Sequence, residues 1–137
     1  LVTGYEILEH TADVGVRATG ATIEACFENA TRGLTEIMGI GVAGRGEEVA
    51  LAVNAADREA LLVEWLDEVI YLHETRDAAI VDVRVDRVTE GRATGSLQLV
   101  ARRPGPSEGT QVKAVTFHQL RIEATPDGCL AEVFFDV

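Results

Sequence analysis

Cysteine is scarce: Cys26 and Cys129 are the only two in 137 residues, and neither belongs to a C-x-x-C pair. That excludes a disulfide framework and a structural zinc site built on paired thiols. Cys26, inside an apolar helical pattern, and Cys129, just after a Pro-Asp-Gly turn, read as buried reduced thiols. Serine occurs only at Ser96 and Ser107, and there is no G-x-S-x-G elbow, Walker loop, H-E-x-x-H pair or Rossmann fingerprint. Ser-based nucleophilic catalysis therefore has little support. No apolar run approaches the ~20 residues that span a bilayer. The opening "LVTGYEILEH" lacks the basic and long apolar regions of a secretory signal, so the expected location is cytoplasmic and no membrane association is expected. Bases are few, 12 against 23 acids, for a net charge of -11. A surface this negative repels phosphate backbones, so direct nucleic-acid binding is not expected. The same charge attracts divalent cations or a basic protein partner, or serves only to keep the chain soluble.

The hydrophobic share of 47% is that of a globular protein, and the length suits a single domain over residues 1–137 with a substantial core. Alternation at Tyr5 and Ile7, then at Val14, Val16 and Ala18, predicts two short strands ended by Gly20. Thr22 is a good N-cap with Glu24 in the first turn, and Ile23, Cys26, Phe27, Ala30, Leu34, Ile37 and Met38 recur at helical steps until "GIGVAGRG". Val49, Leu51 and Val53 alternate as a third strand. Asp57 then caps a second helix with its stripe at Leu61, Leu62, Trp65, Leu66, Val69 and Ile70. Positions 35 apart match in kind, among them Val16 with Leu51 and Phe27 with Leu62, which hints at a degenerate internal duplication. Residues 80–88, 93–101, 111–124 and 130–135 read as strands, the last two joined through the "TPDG" turn. The expected fold is α+β, two amphipathic helices packed on a mostly antiparallel β-sheet. Residues 101–110, "ARRPGPSEGT", read as an exposed loop.

"EHTAD" sets Glu9, His10 and Asp13 between two strands. Asp and Thr in a short connection serve as turn or cap groups, and on that reading Asp13 is purely structural. The far end of the chain suggests more. Asp136 follows an apolar strand, Val137 contributes a terminal carboxylate, and two or three such oxygens could converge on a hard cation such as Ca²⁺ or Mg²⁺. In "VKAVTFHQLRI", strict alternation puts Val112, Ala114, Thr116, His118, Leu120 and Ile122 on one face. It puts Lys113, Val115, Phe117, Gln119 and Arg121 on the other. His118 then reads as a satisfied core or edge histidine, and Lys113 as a solvated charge or a handle for a partner. His73 reads as a helix C-terminal residue interacting with the dipole.

Together "YEILEHTADVGVRATG", "TIEACFENATRGLTEIM", "LLVEWLDEVIYL", "VKAVTFHQLRIE" and the terminal "VFFDV" resemble archease, the small activator of the RtcB-type RNA ligase of tRNA splicing and RNA repair. The resemblance runs in order from Tyr5 to Val137. It implies an α+β fold and a non-enzymatic accessory role, promoting guanylylation of the ligase's active-site histidine so that the ligase turns over repeatedly. It also implies a metal site at Asp13, Asp136 and Val137, while His10, Lys113 and His118 fall in family motifs without an assigned role. Residues 101–110 depart from the family pattern, and Asp67 stands where many relatives have Asn. Two other classes compete. One is a stand-alone metal-dependent hydrolase or phosphotransfer enzyme, with Asp13 and Asp136 holding Mg²⁺ and His10 or His118 as general base. The other is a chaperone-like binding module.

Overall fold

The structure, a computed structural model, describes residues 4–9, 13–39, 46–101 and 109–137. Its elements follow in the order β1 (Gly4–Glu9), β2 (Asp13–Gly20), α1 (Ile23–Met38), β3 (Glu47–Asn54), α2 (Arg58–Thr75), β4 (Ala78–Val88), β5 (Arg92–Ala101), β6 (Ala114–Thr125) and β7 (Gly128–Asp136). Both predicted caps form. The Ala25 N–H donates to Thr22 Oγ1 at 3.1 Å and the Ala60 N–H to Asp57 Oδ1 at 2.8 Å, each satisfying one otherwise free donor of a helix start. α1 ends at Gly39, the first glycine of the glycine-rich run, of which residues 40–45 lie outside the described residues. The "TPDG" hairpin turns where expected, with Gly128 at φ 150°, a backbone conformation that side chains oppose.

The strands are all antiparallel but divide into two sheets, ordered β1-β2-β7-β6 and β3-β5-β4. The two share one plan. In the first, β2 leads into α1, and the β6-β7 hairpin returns with β7 central. In the second, β3 leads into α2, and the β4-β5 hairpin returns with β5 central. The second strand-helix-hairpin unit is thus inserted between α1 and β6 of the first, and β1 is an added edge. The 35-residue offset in the sequence is the spacing of the two N-caps, Thr22 and Asp57.

Each helix also closes the hairpin edge of the opposite unit. On α1, Glu28 Oε2 accepts the Val85 N–H at 2.8 Å and Glu24 Oε2 the Val88 N–H at 2.9 Å, both from β4. On α2, Asp67 Oδ1 accepts the Val115 N–H of β6 at 3.3 Å. Edge N–H groups that would otherwise await a foreign strand are taken up inside the molecule.

The core lies where the two sheets and two helices meet. α2 is covered well beyond its predicted stripe: Val63, Leu72 and His73 are buried as well, because sheet, β6 and α1 surround it. His73 does not merely sit at a helix end; its Nδ1 is 2.7 Å from the Ala78 carbonyl. A carbonyl can only accept, so Nδ1 carries the proton and ties α2 to the start of β4. At the centre the fully buried Trp65 donates Nε1–H to Thr31 Oγ1 at 3.0 Å, and Thr31 donates onward to the Phe27 carbonyl at 2.7 Å. We expect Trp65→Ala to cost about 3–5 kcal/mol, from transfer and cavity terms together. Thr31→Val, which strands the indole N–H, should cost about 1–3 kcal/mol. Denaturant melts check both, and an unchanged midpoint for Trp65→Ala would refute the central placement of that ring.

Candidate functional site

β2 begins at Asp13, β7 ends at Asp136, and the register pairs the two directly. The next pairs are Val14 with Phe135, Gly15 with Phe134, Val16 with Val133 and Arg17 with Glu132. Cross-strand partners project to the same face, and the face alternates along a strand. Val16, Ala18, Ala131, Val133 and Phe135 go to the core, so Asp13 and Asp136 stand together on the outer face of the sheet. A Cβ on Gly15 would meet the Phe134 ring at 2.6 Å, so only glycine leaves room for that aromatic to lie across β2 beside the two acids.

Farther along this outer face the acids are neutralised. Arg17 Nε is 3.0 Å from Glu132 Oε2 and its Nη1 is 3.6 Å from Glu6 Oε2. Arg121 Nη2 reaches Glu132 at 3.4 Å and its Nη1 reaches Glu123 at 2.8 Å. Among the described residues neither Asp13 nor Asp136 has a basic partner. Like charges placed opposite one another destabilise a ladder, and a bound cation is one way to offset them. The donors are oxygen only, which fits a hard divalent ion. Among the described residues no three His, Cys, Asp or Glu side chains gather for a metal.

The remaining candidates divide. Lys113 reaches the tip through its backbone, whose N–H donates to the Asp136 carbonyl at 2.8 Å, and Ala114 pairs with Asp136. His10 lies outside the described residues, as do residues 102–108 of the segment read as an exposed loop. His118 is not packed as strict alternation predicted; it is exposed, its N–H donating to Thr116 Oγ1 at 2.8 Å. The cause is a bulge. Thr116 pairs with Phe134 and Arg121 with Glu132, so residues 117–120 face the single residue Val133. Three extra residues, an odd number, reverse the alternation. Val115 therefore packs inward with Val112, while Leu120 and Ile122 regain the core side beyond the bulge. Gln119 takes φ 56° and Phe117 is left 65% exposed. The apolar Val115 and Phe117 on the nominally outer face were the trace of this slip in the sequence.

The Archease protein family model matches residues 5–137. An archease from Methanosarcina acetivorans is 36% identical, with 97% of this chain and 95% of that protein covered. One from Thermococcus gammatolerans is 37% identical over 90% and 91%. The solution structure of protein 1598 of Methanobacterium thermoautotrophicum superposes with a TM-score of 0.80 at 31% identity, covering 99% of this chain and all of that one. The chain belongs to the archease family. The crystal structure of an archease from Thermotoga maritima, named there as a possible chaperone, is similar at a TM-score of 0.67 and 26% identity, covering 96% of each chain. The archease motifs that lie far apart in sequence converge in space. "EHTADVG" leads into β2, "VKAVTFH" leads into β6 and "FDV" ends β7, three strand ends adjacent in one sheet.

Asp67, on α2 behind this end of β6, is the archease position with a charge to test. Desolvation against β6 pushes its carboxyl above the usual range, the Val115 N–H pulls it down, and Glu64 adds a further upward push. A raised folded-state pKa means that the unfolded chain gives up this proton first. The associated stability is fully present below the unfolded carboxylate pKa and is lost as pH rises through the folded one. Asn keeps an acceptor for Val115 and avoids that loss. Asp67→Asn should therefore melt above the wild type at neutral pH, with the gap closing in acid. A gap of the same size at both ends of the titration would contradict this account.

Proposed function

We propose that this archease is a cytoplasmic accessory protein of an RtcB-type RNA ligase in tRNA splicing and RNA repair. It promotes guanylylation of the ligase's active-site histidine, permits repeated turnover and is not itself an enzyme. Family membership supports the partner class, and the pairing of Asp13 with Asp136, neither with a basic partner among the described residues, supports the position of the working end. In this reading Asp13, Asp136 and the Val137 carboxylate hold a divalent ion, Ca²⁺ or Mg²⁺. Once bound, it would supply positive charge at an otherwise anionic tip. The protein's own contribution is placement: β2 and β7 fix the two carboxylates, the Lys113 N–H holds the Asp136 backbone, and the buried Phe134 ring packs over Gly15 in the neighbouring pair.

A stand-alone hydrolase would need a general base at the carboxylate pair; His118 lies beyond that pair, in the bulge, four residues along β6 from Ala114, and the other candidate, His10, lies outside the described residues. The decisive assay combines the protein with an RtcB-type ligase, GTP and Mn²⁺. Wild type should accelerate ligase guanylylation. Asp13→Asn and Asp136→Asn should abolish the stimulation, keep a native far-UV spectrum, and weaken cation binding by at least ~10-fold, the lower bound for lesser changes around a metal site. A C-terminal extension, which turns the Val137 carboxylate into an amide, should do the same. Full stimulation by Asp13→Asn, or nucleotide turnover without ligase, would overturn the proposal.

A further inference from the structure

Two thiols meet at the opposite end of β2 and β7 from the acidic tip. Cys26, in the first turns of α1, is fully buried, with its Sγ 3.5 Å from the Ala18 carbonyl and 3.7 Å from the Cys129 carbonyl. Cys129 stands opposite Gly20 where β7 begins, and its own carbonyl is the one that the Cys26 thiol approaches across the core. Their surroundings differ. Cys129 is 8% exposed and lines a cleft of about 500 Å³ whose walls include the N-caps Thr22 and Asp57 and the side chain of Arg58. Cys26 lies behind it and does not line that cleft.

We propose that Cys26 and Cys129 form a reversible intramolecular disulfide, Cys129 meeting the oxidant in the cleft and Cys26 resolving the product. Burial pushes both thiols up, but for Cys129 the neighbouring Cys26 side chain and the charge of Arg58 act the other way. Cys129 is therefore the thiol to ionise first. With hydrogen peroxide as oxidant, the Cys129 thiolate attacks one peroxide oxygen. An S–O bond forms, the O–O bond breaks, and the departing hydroxide takes up the proton that Cys129 released, giving water and a sulfenic acid. The Cys26 sulfur then attacks the Cys129 sulfur. The S–S bond forms, the S–O bond breaks, and the oxygen leaves as a second water with the Cys26 proton. Two electrons pass from the two thiols to one peroxide.

The raised thiols make this slower than oxidation of an exposed thiolate, so the pair answers sustained peroxide rather than a brief pulse. The new bond would join residues 103 apart, binding α1 to β7 and shrinking the unfolded ensemble. The Asp13–Asp136 pair, at the other end of the same strands, stays as it is.

The test is peroxide treatment of the full chain, followed by intact mass under non-reducing conditions. The expected product is a monomer lighter by two hydrogens, in which both thiols disappear together. It should return to the starting mass with dithiothreitol and melt at a higher temperature than the reduced form. Cys26→Ser should stop at a Cys129 sulfenic acid that dimedone traps, whereas Cys129→Ser should leave Cys26 unreacted over the same period. Should either variant fail to fold, the wild-type mass alone decides. Oxygen added at Cys129 with Cys26 still a free thiol, or disulfide-linked dimers in place of the lighter monomer, would overturn the proposal.

Discussion

The antiparallel pairing of β2 with β7 is the constraint on which the rest of this archease turns. It joins the first long strand to the last, from Asp13 opposite Asp136 to Gly20 opposite Cys129. Its register is not chosen by the acids, which repel, but by the inner face. Val16, Ala18, Ala131, Val133 and Phe135 are all buried, and a slip of one residue on either strand would turn that strand's members out to water. At roughly 1.5–3 kcal/mol for each large side chain, the apolar face far outweighs the repulsion at the tip. Hydrophobic packing on one side of the sheet thus holds two carboxylates together on the other.

The same ladder organises the duplication. Sheet β2-β7-β6 and sheet β3-β5-β4 follow one plan, and each helix offers carboxylates to the hairpin edge of the other unit. The exchange explains why α2 is buried on more sides than an amphipathic surface helix. It also explains how Glu24 and Glu28, acids in a strongly acidic chain, are put to structural use. The outer face shows a division of labour among charges: Arg17 and Arg121 neutralise Glu6, Glu123 and Glu132, and among the described residues the tip pair is left without a base.

Much of this was legible in the sequence because it is local. Thr22 and Asp57 announce helix starts by residue type, the 3.6-residue period places Phe27 and Trp65 in the core, and Pro-Asp-Gly marks the last hairpin. Asp13 and Asp136 were readable as candidates from their strand-end positions, and the archease resemblance joined them. What escaped is non-local or breaks a period. Nothing in one strand states which distant strand it will pair with, so the split into two sheets and the meeting of Cys26 with Cys129 were invisible. The bulge at residues 117–120 defeated strict alternation, because an odd insertion moves every later side chain to the opposite face. His118, read as a core or edge histidine, is for that reason exposed on the edge strand β6 and not in the core.

The central claim is that one cation site is assembled from both ends of the chain by the β2–β7 register. Titration with paramagnetic Mn²⁺, followed residue by residue in amide NMR spectra, tests it most directly. The account predicts that the amides at Asp13 and Val14 and those at Asp136 and Val137 broaden together along a single binding curve, and that Asp13→Asn abolishes the effect at both ends. Broadening confined to one strand end, or spread evenly over the exposed acids, would contradict it.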